Sequence, residues 1–327
     1  MARCLNIGHY YKIESNAFLY FFIIFLESVI MLNTNGHSDY DMAHKVFIIF
    51  LLFIGVTAVL AIGLRGYEYY LTPIQLRAFS ADHAILKPSG ELSHGLGIIG
   101  ALMIIIGITT YSSRKRVRAL WNLGKLSMWL EFHIFLCLVG PTLVVYHTTF
   151  KAGGIAAISL WTMLSVAASG IVGRFLYVLI PRNIKGSEMT TTQINAQFDV
   201  QKKILLETEI GRELVQHIDQ SFAGIKRPTN LSETLATFLQ LQRLKRQVKI
   251  IVRSQIAQRH LRHSIAKNVI HVASARASLI QKSLLLLQVE KLFYYWHAIH
   301  LPFTAIMFVT LALHVGVALW LGYTWIF

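Results

Sequence analysis

His133 and His147 stand fourteen residues apart in one apolar run, and His300 and His314 stand fourteen apart in another. At about 100° per residue, fourteen steps carry an α-helix through nearly four whole turns. Each pair therefore shares one helix face, with its members about 21 Å apart along the axis. A neutral imidazole offers a lone pair to a metal from one ring nitrogen and donates a hydrogen bond from the other. In hydrocarbon an imidazole without a partner is costly, so two pairs at matched spacing point to metal ligation or to hydrogen bonds between helices. Thiolate chemistry is disfavoured. The chain has 14 histidines but only 2 cysteines, Cys4 and Cys137, in no CxxC or CxxCH pattern, which argues against a disulfide framework, a zinc or iron–sulfur site and covalent haem attachment.

The elements that must hold these histidines are membrane-spanning helices. Of 327 residues, 54% are hydrophobic and 14% charged, and the mean hydropathy is positive, unlike a soluble enzyme or a disordered chain. Runs able to cross roughly 30 Å of hydrocarbon occur at 17–32, 46–64, 95–110, 128–150, 154–180 and 301–325. They predict an all-α bundle of about six spans. Glu27 interrupts the first run, which reads as a span or a signal anchor. Arg114, Lys115, Arg116, Arg118 and Lys125, with no acidic residue between them, put the connection from the third to the fourth span on the cytoplasmic side. The fourth and sixth spans then both run outward. Counting backward leaves the N-terminus outside, which Arg3 and Lys12 mildly oppose.

This reading divides the chain into spans one to five over 1–181, a cytoplasmic insertion over 182–292 and a last span over 293–327. Within the insertion Leu239, Leu241, Leu244, Val248 and Ile251 recur at helical spacing, which predicts a helical hairpin. Every charged residue from Arg243 through Lys282 is Lys or Arg. Such a stretch fits a solvated face beside anionic headgroups or a docking face for an acidic partner. It lacks the aromatics that usually accompany nucleic-acid tracking, so no nucleic acid is expected.

Parallel fourth and sixth spans match the histidines by height, His133 with His300 near the cytoplasmic side and His147 with His314 nearer the outside. Two imidazoles facing each other across a bundle, twice, describe two six-coordinate haem b sites stacked through the bilayer. The macrocycle supplies four equatorial nitrogens, and neutral imidazoles fill both axial positions without burying net ligand charge.

This arrangement resembles the membrane di-haem b-type cytochromes, including the cytochrome b561-like and ferric-reductase-like transmembrane groups. The resemblance covers about His94 to the C-terminus and rests on His133, His147, His300 and His314, together with Gly140 midway between the first pair. At that position such cytochromes often place a glycine to let a haem approach the backbone. The second pair departs from the pattern, with Met307 at its midpoint. What the resemblance implies is a bundle of four or more helices around two haems that pass electrons across the membrane. Usual partners of such cytochromes include iron–sulfur and multihaem c-type subunits, and a quinone or quinol is a further candidate reactant. The expected location is a bacterial cytoplasmic (inner) membrane.

Other candidates stay open. His297 lies one turn before His300 and competes for the inner position, although seventeen residues to His314 leave it about 100° out of phase. His94 opens the third span, where it fits an outer-haem ligand, a proton carrier for a quinone or a helix cap. Arg174 sits in the fifth span and needs a counter-charge, either a haem propionate or, by snorkelling, the interface. Gly95, Gly97 and Gly100 spell GxGxxG, but no strand precedes them and an apolar span follows, so dinucleotide binding lacks its context.

Nothing in the chain would bind NADPH or flavin, so the electron donor must be elsewhere. The expected function is a subunit that relays electrons across the bilayer between the quinone pool and a partner redox protein. The alternative is a non-redox membrane scaffold or transporter that uses its histidines as a proton relay.

Overall fold

The computed structural model describes residues 40–154, 156–181, 189–208, 210–259 and 262–323. These form helices and connections, with no strand among the described residues. In chain order the helices are α1 (Tyr40–Arg65), α2 (Tyr67–Leu71), α3 (His83–Leu86), α4 (Glu91–Arg116), α5 (Leu126–His147), α6 (Ala156–Leu179), α7 (Thr191–Leu206), α8 (Gly211–Ala223), α9 (Leu231–Gln258) and α10 (His263–Trp320). Five helical segments are long and apolar enough to cross a membrane: Val46–Arg65, His83–Arg116, Leu126–His147, Ala156–Leu179 and His263–Trp320. They overlap the five apolar runs from 46–64 onward, and the chain is a multi-pass helical membrane protein. The run at 17–32 lies outside the described residues.

The chain forms two compact units. The membrane unit comprises 42–173 and 294–323. Here α4 and α5 pack antiparallel in a register that small residues dictate. Ser93, Gly100 and Gly107 recur every seventh residue on α4 and face His147, Gly140 and His133, which recur every seventh residue on α5. At the middle step the backbones meet, because a Cβ on Gly140 would stand 2.8 Å from the Gly100 carbonyl oxygen and one on Gly100 2.6 Å from that of Gly140. Buried Ile104, Leu160, Met163, Val166 and Met307 join α4, α6 and the last part of α10 in one core.

Two arginines close the ends of this pair. Arg114, in the last turn of α4, is buried at 7% exposure, and its guanidinium donates to the carbonyls of Trp121, Leu123 and Gly124 in the connection that follows. At the other end Arg77 donates to the carbonyls of Tyr70, Thr72 and Thr149. Thr149 and Phe150 have φ of 52° and 62°, a left-handed conformation that costs on the order of 1–3 kcal/mol per residue unless held. The Arg77 hydrogen bond helps to hold it, at the turn that follows His147.

The second unit comprises 174–181 and 189–293. It is richer than a hairpin, because two shorter helices, α7 and α8, precede α9 and the first part of α10. The starts of α7 and α9 carry readable caps. Thr190 and Gln193 form a reciprocal capping box at α7, and the Asn230 side chain accepts the Glu233 N–H at α9, each satisfying amides that the helix leaves open. On α8, Leu214, Val215, Ile218 and Phe222 are buried, the one-sided stripe of an amphipathic helix. Arg276 of α10 knits the unit together. It is 6% exposed, its Nη2 donates to Asp219 Oδ2 at 2.8 Å, and its Nη1 donates to the Phe198 carbonyl at 3.0 Å. The basic stretch from Arg243 to Lys282 is thus not wholly a surface feature.

Candidate cofactor site

Three of the four histidines are held by one device, a hydrogen bond at Nδ1. His133 Nδ1 lies 2.9 Å from the Gly107 carbonyl oxygen, and His147 Nδ1 lies 2.9 Å from that of Ser93. A carbonyl only accepts, so Nδ1 carries the proton in both and Nε2 keeps its lone pair. His300 reaches the same state through a side chain. Ser169 Oγ donates to the Val166 carbonyl at 3.0 Å and so accepts from His300 Nδ1 at 2.6 Å. This is how proteins orient imidazoles for metal ligation.

Space for the rings is cut into the neighbouring helices. A Cβ on Gly97 would lie 2.8 Å from His147 Cγ, so the glycine of the GxGxxG pattern serves ring clearance. On α6, Gly173 makes room for the Trp296 indole. That indole donates from Nε1 to the Ser169 carbonyl at 2.8 Å and stacks on His300 with ring centres 4.7 Å apart and planes at 27°. Ser169 therefore carries both His300 and the indole that packs against it.

Across the bundle, the rings of His147 and His314 are 6.5 Å apart between centres. Two imidazoles on opposite sides of one metal, with bonds of about 2 Å, have ring centres about 6.3 Å apart. Met307, midway between His300 and His314, is 3% exposed and packs with Ile104 in the core between the two levels. Among the described residues no group of three or more His, Cys, Asp or Glu side chains converges on a bare metal ion; an iron whose four equatorial ligands come from a macrocycle needs only two.

The remaining candidates fall as follows. His94 packs beside His147, ring centres 6.0 Å apart. His297 lies against Trp296 at 4.5 Å. Gly140 faces α4, where the approach of Gly100 already accounts for it. Arg174 belongs to the second unit; it is 5% exposed, with its guanidinium 5.6 Å from the centre of the Tyr177 ring. Sequence reasoning passed over Ser93, Gly107, Ser169 and Trp296. It also passed over Glu131, which is buried on α5 and pairs with His44 of α1 at 3.0 Å. Glu131 had a signal, being an acidic residue inside an apolar run.

No family model, curated protein or solved structure matches this chain.

Proposed function

We propose that the chain is a membrane di-haem b-type cytochrome subunit that relays electrons across the bilayer, with His133 and His300 holding one haem and His147 and His314 the other. The observation that carries this reading is the state of the ligands. Three of the four present an anchored Nδ1–H and a free Nε2, and the fourth stands 6.5 Å from its partner ring. Haem, when bound, supplies a reversible one-electron centre.

The protein's own groups do the rest. The Gly107 and Ser93 carbonyls and the Ser169 hydroxyl fix the imidazole tautomers and ring orientations, so binding requires no reorganisation there. The α4–α5 register fixes the height of both α5 ligands at once, about 21 Å apart. The core around Met307 and Ile104 fills the intervening layer with apolar side chains and keeps water out of it. Electrons must enter and leave through other molecules, in our reading a quinone or quinol at one side and an iron–sulfur or multihaem c-type partner at the other, in a bacterial cytoplasmic membrane.

A reduced-minus-oxidised absorption spectrum of purified protein, with haem quantified per chain, tests the proposal. Two b-type haems per chain support it, and folded protein without haem from haem-replete cells overturns it. The second reading, a proton relay in a non-redox transporter, draws on the ring-to-ring succession from His94 through His147 to His314 and predicts a colourless protein.

A further inference from the structure

The connection from α1 to α4 carries a surface that the electron-transfer reading does not use. Between Leu71 and Ser80 the sequence has a single charged residue, Arg77, and the fold turns it inward. Arg77 is 4% exposed, committed to the carbonyls of Tyr70, Thr72 and Thr149 at 2.8, 2.8 and 2.6 Å. What faces outward is uncharged and largely apolar: Leu71, Ile74, Leu76 and Phe79 are 60%, 45%, 55% and 85% exposed, with Gln75 the exposed polar side chain among them.

These side chains are held out by a scaffold. Tyr69, 2% exposed, places its hydroxyl 3.1 Å from His83 Nδ1, and Arg77 lies 5.3 Å over the Tyr69 ring. A free loop would fold its leucines and phenylalanine inward, whereas this one spends its buried polar contacts keeping them exposed. In water such a contiguous apolar patch is unfavourable and marks an interaction surface.

The apolar surface is also continuous with the span before it. Phe53, Leu60, Leu64, Tyr67 and Leu71, all exposed, follow one another at intervals of seven, four, three and four residues, from α1 through Gly66 into α2. On α1 this stripe belongs to a candidate span whose surface is almost wholly unburied, the side that meets lipid. The stripe leaves hydrocarbon beside the exposed charges of Arg65 and Glu68, where a span meets the headgroups, and then runs uncharged from Leu71 to Phe79.

We propose that the segment Leu71–Phe79 is an interfacial anchor, embedded in the lipid at the end of the bilayer where α4 begins and α5 ends. An uncharged outward face fits the acyl–headgroup boundary and offers a charged partner nothing to pair with.

The experiment places the fluorophore NBD at position 79 (Phe79→Cys) or 76 (Leu76→Cys) in the full chain, reconstituted in phosphatidylcholine–phosphatidylglycerol nanodiscs. Lys151→Cys, in the exposed α5–α6 connection, is the control, and labelled wild type corrects for Cys4 and Cys137. The anchor predicts blue-shifted emission at 76 and 79, quenching by lipids with doxyl groups high on the acyl chain, and iodide quenching several-fold weaker than at 151. Iodide quenching equal to that at 151 would overturn the proposal. So would labels shielded from both quenchers, since protein, from a second copy or another part of the chain, would then cover the segment.

Discussion

The imidazoles of His147 and His314 stand 6.5 Å apart between ring centres, with their planes crossed at 69°. That spacing is close to the separation of about 6.3 Å for two imidazoles on opposite sides of one metal, and Gly97 lies against the His147 ring with no side chain of its own. A hydrogen-bonding role for this pair would draw the rings to about 3 Å between nitrogens. If the pairs are ligands by level, His147→Ala and His314→Ala each remove the same haem, and His133→Ala and His300→Ala each remove the other. Haem content per chain and the low-temperature α-band of each variant read this directly. Crossed losses would refute the pairing, and unchanged haem in all four would refute ligation.

Ser169 differs from the other two anchors because its acceptor is a hydroxyl, so it can be removed without touching the backbone. Ser169→Ala leaves His300 Nδ1–H without that acceptor and makes the imidazole a poorer electron donor to iron. The haem at the His133–His300 level then shifts to a higher potential, while Ser169→Thr, which keeps a hydroxyl, stays near wild type. A redox titration with both haems resolved checks this. Equal potentials in all three proteins would mean that Ser169 serves only as the Trp296 acceptor, through its carbonyl.

Gly100 and Gly140 set the register that carries both α5 histidines. A methyl at either meets a carbonyl oxygen 2.6 or 2.8 Å away, closer than packing tolerates, so Gly140→Ala forces α4 and α5 apart at a cost on the order of 1–3 kcal/mol. Because Ser93 and Gly107 lie seven residues to either side of Gly100, both imidazole anchors lengthen together. The expected result is a lower apparent Tm in detergent with both haem spectra perturbed. A change confined to one haem would contradict a shared register.

The shared face of His133 and His147, both turned to α4, was legible in the sequence, and for a definite reason. Spacing along one helix is a local property, so fourteen residues suffice to show it. The anchors were hidden because they lie on other helices. Two of them are backbone carbonyls, of Ser93 and Gly107, which leave no side-chain signature, and nothing local ties Ser169 to a histidine 131 residues later. The heptad of small residues on α4 becomes meaningful only beside its mirror on α5. Likewise Arg276 reads as one more cation in a basic run until the fold brings Asp219, 57 residues away, to its guanidinium.

That ion pair gives a prediction for the second unit. Arg276 is buried while the Asp219 side chain is 46% exposed, so truncating the two partners has unequal consequences. Arg276→Ala abandons the Phe198 carbonyl as well as the carboxylate and costs on the order of 3 kcal/mol. Asp219→Ala leaves a buried guanidinium with one carbonyl and water at its open side, and costs less. Urea midpoints of both variants and of the double variant, read by pulse proteolysis, give the ordering. Equal single costs with a fully additive double variant would show that the pair is not coupled.

Lys245, on α9, supplies a pH dependence of definite sign. Burial, and secondarily the charge of Lys282, lower its ammonium from the usual 10.5 to about 8. Below pH 8 the folded unit carries an ammonium that it solvates poorly, and the unfolded chain carries the same ammonium fully hydrated, so the penalty is present in full. Between about 8 and 10.5 the unfolded state binds more protons than the folded state. Stability must therefore rise with pH across that window and level off above it. Lys245→Met keeps the aliphatic stem and removes the charge. It should exceed wild type in urea midpoint at pH 7, and the gap should close as pH approaches 10.5. Comparing the two proteins at each pH cancels the other titrating groups. A gap that stays constant from pH 7 to 10.5 would mean that Lys245 is hydrated in the folded unit, and that the basic face of α9 reaches further around the helix than its packing indicates.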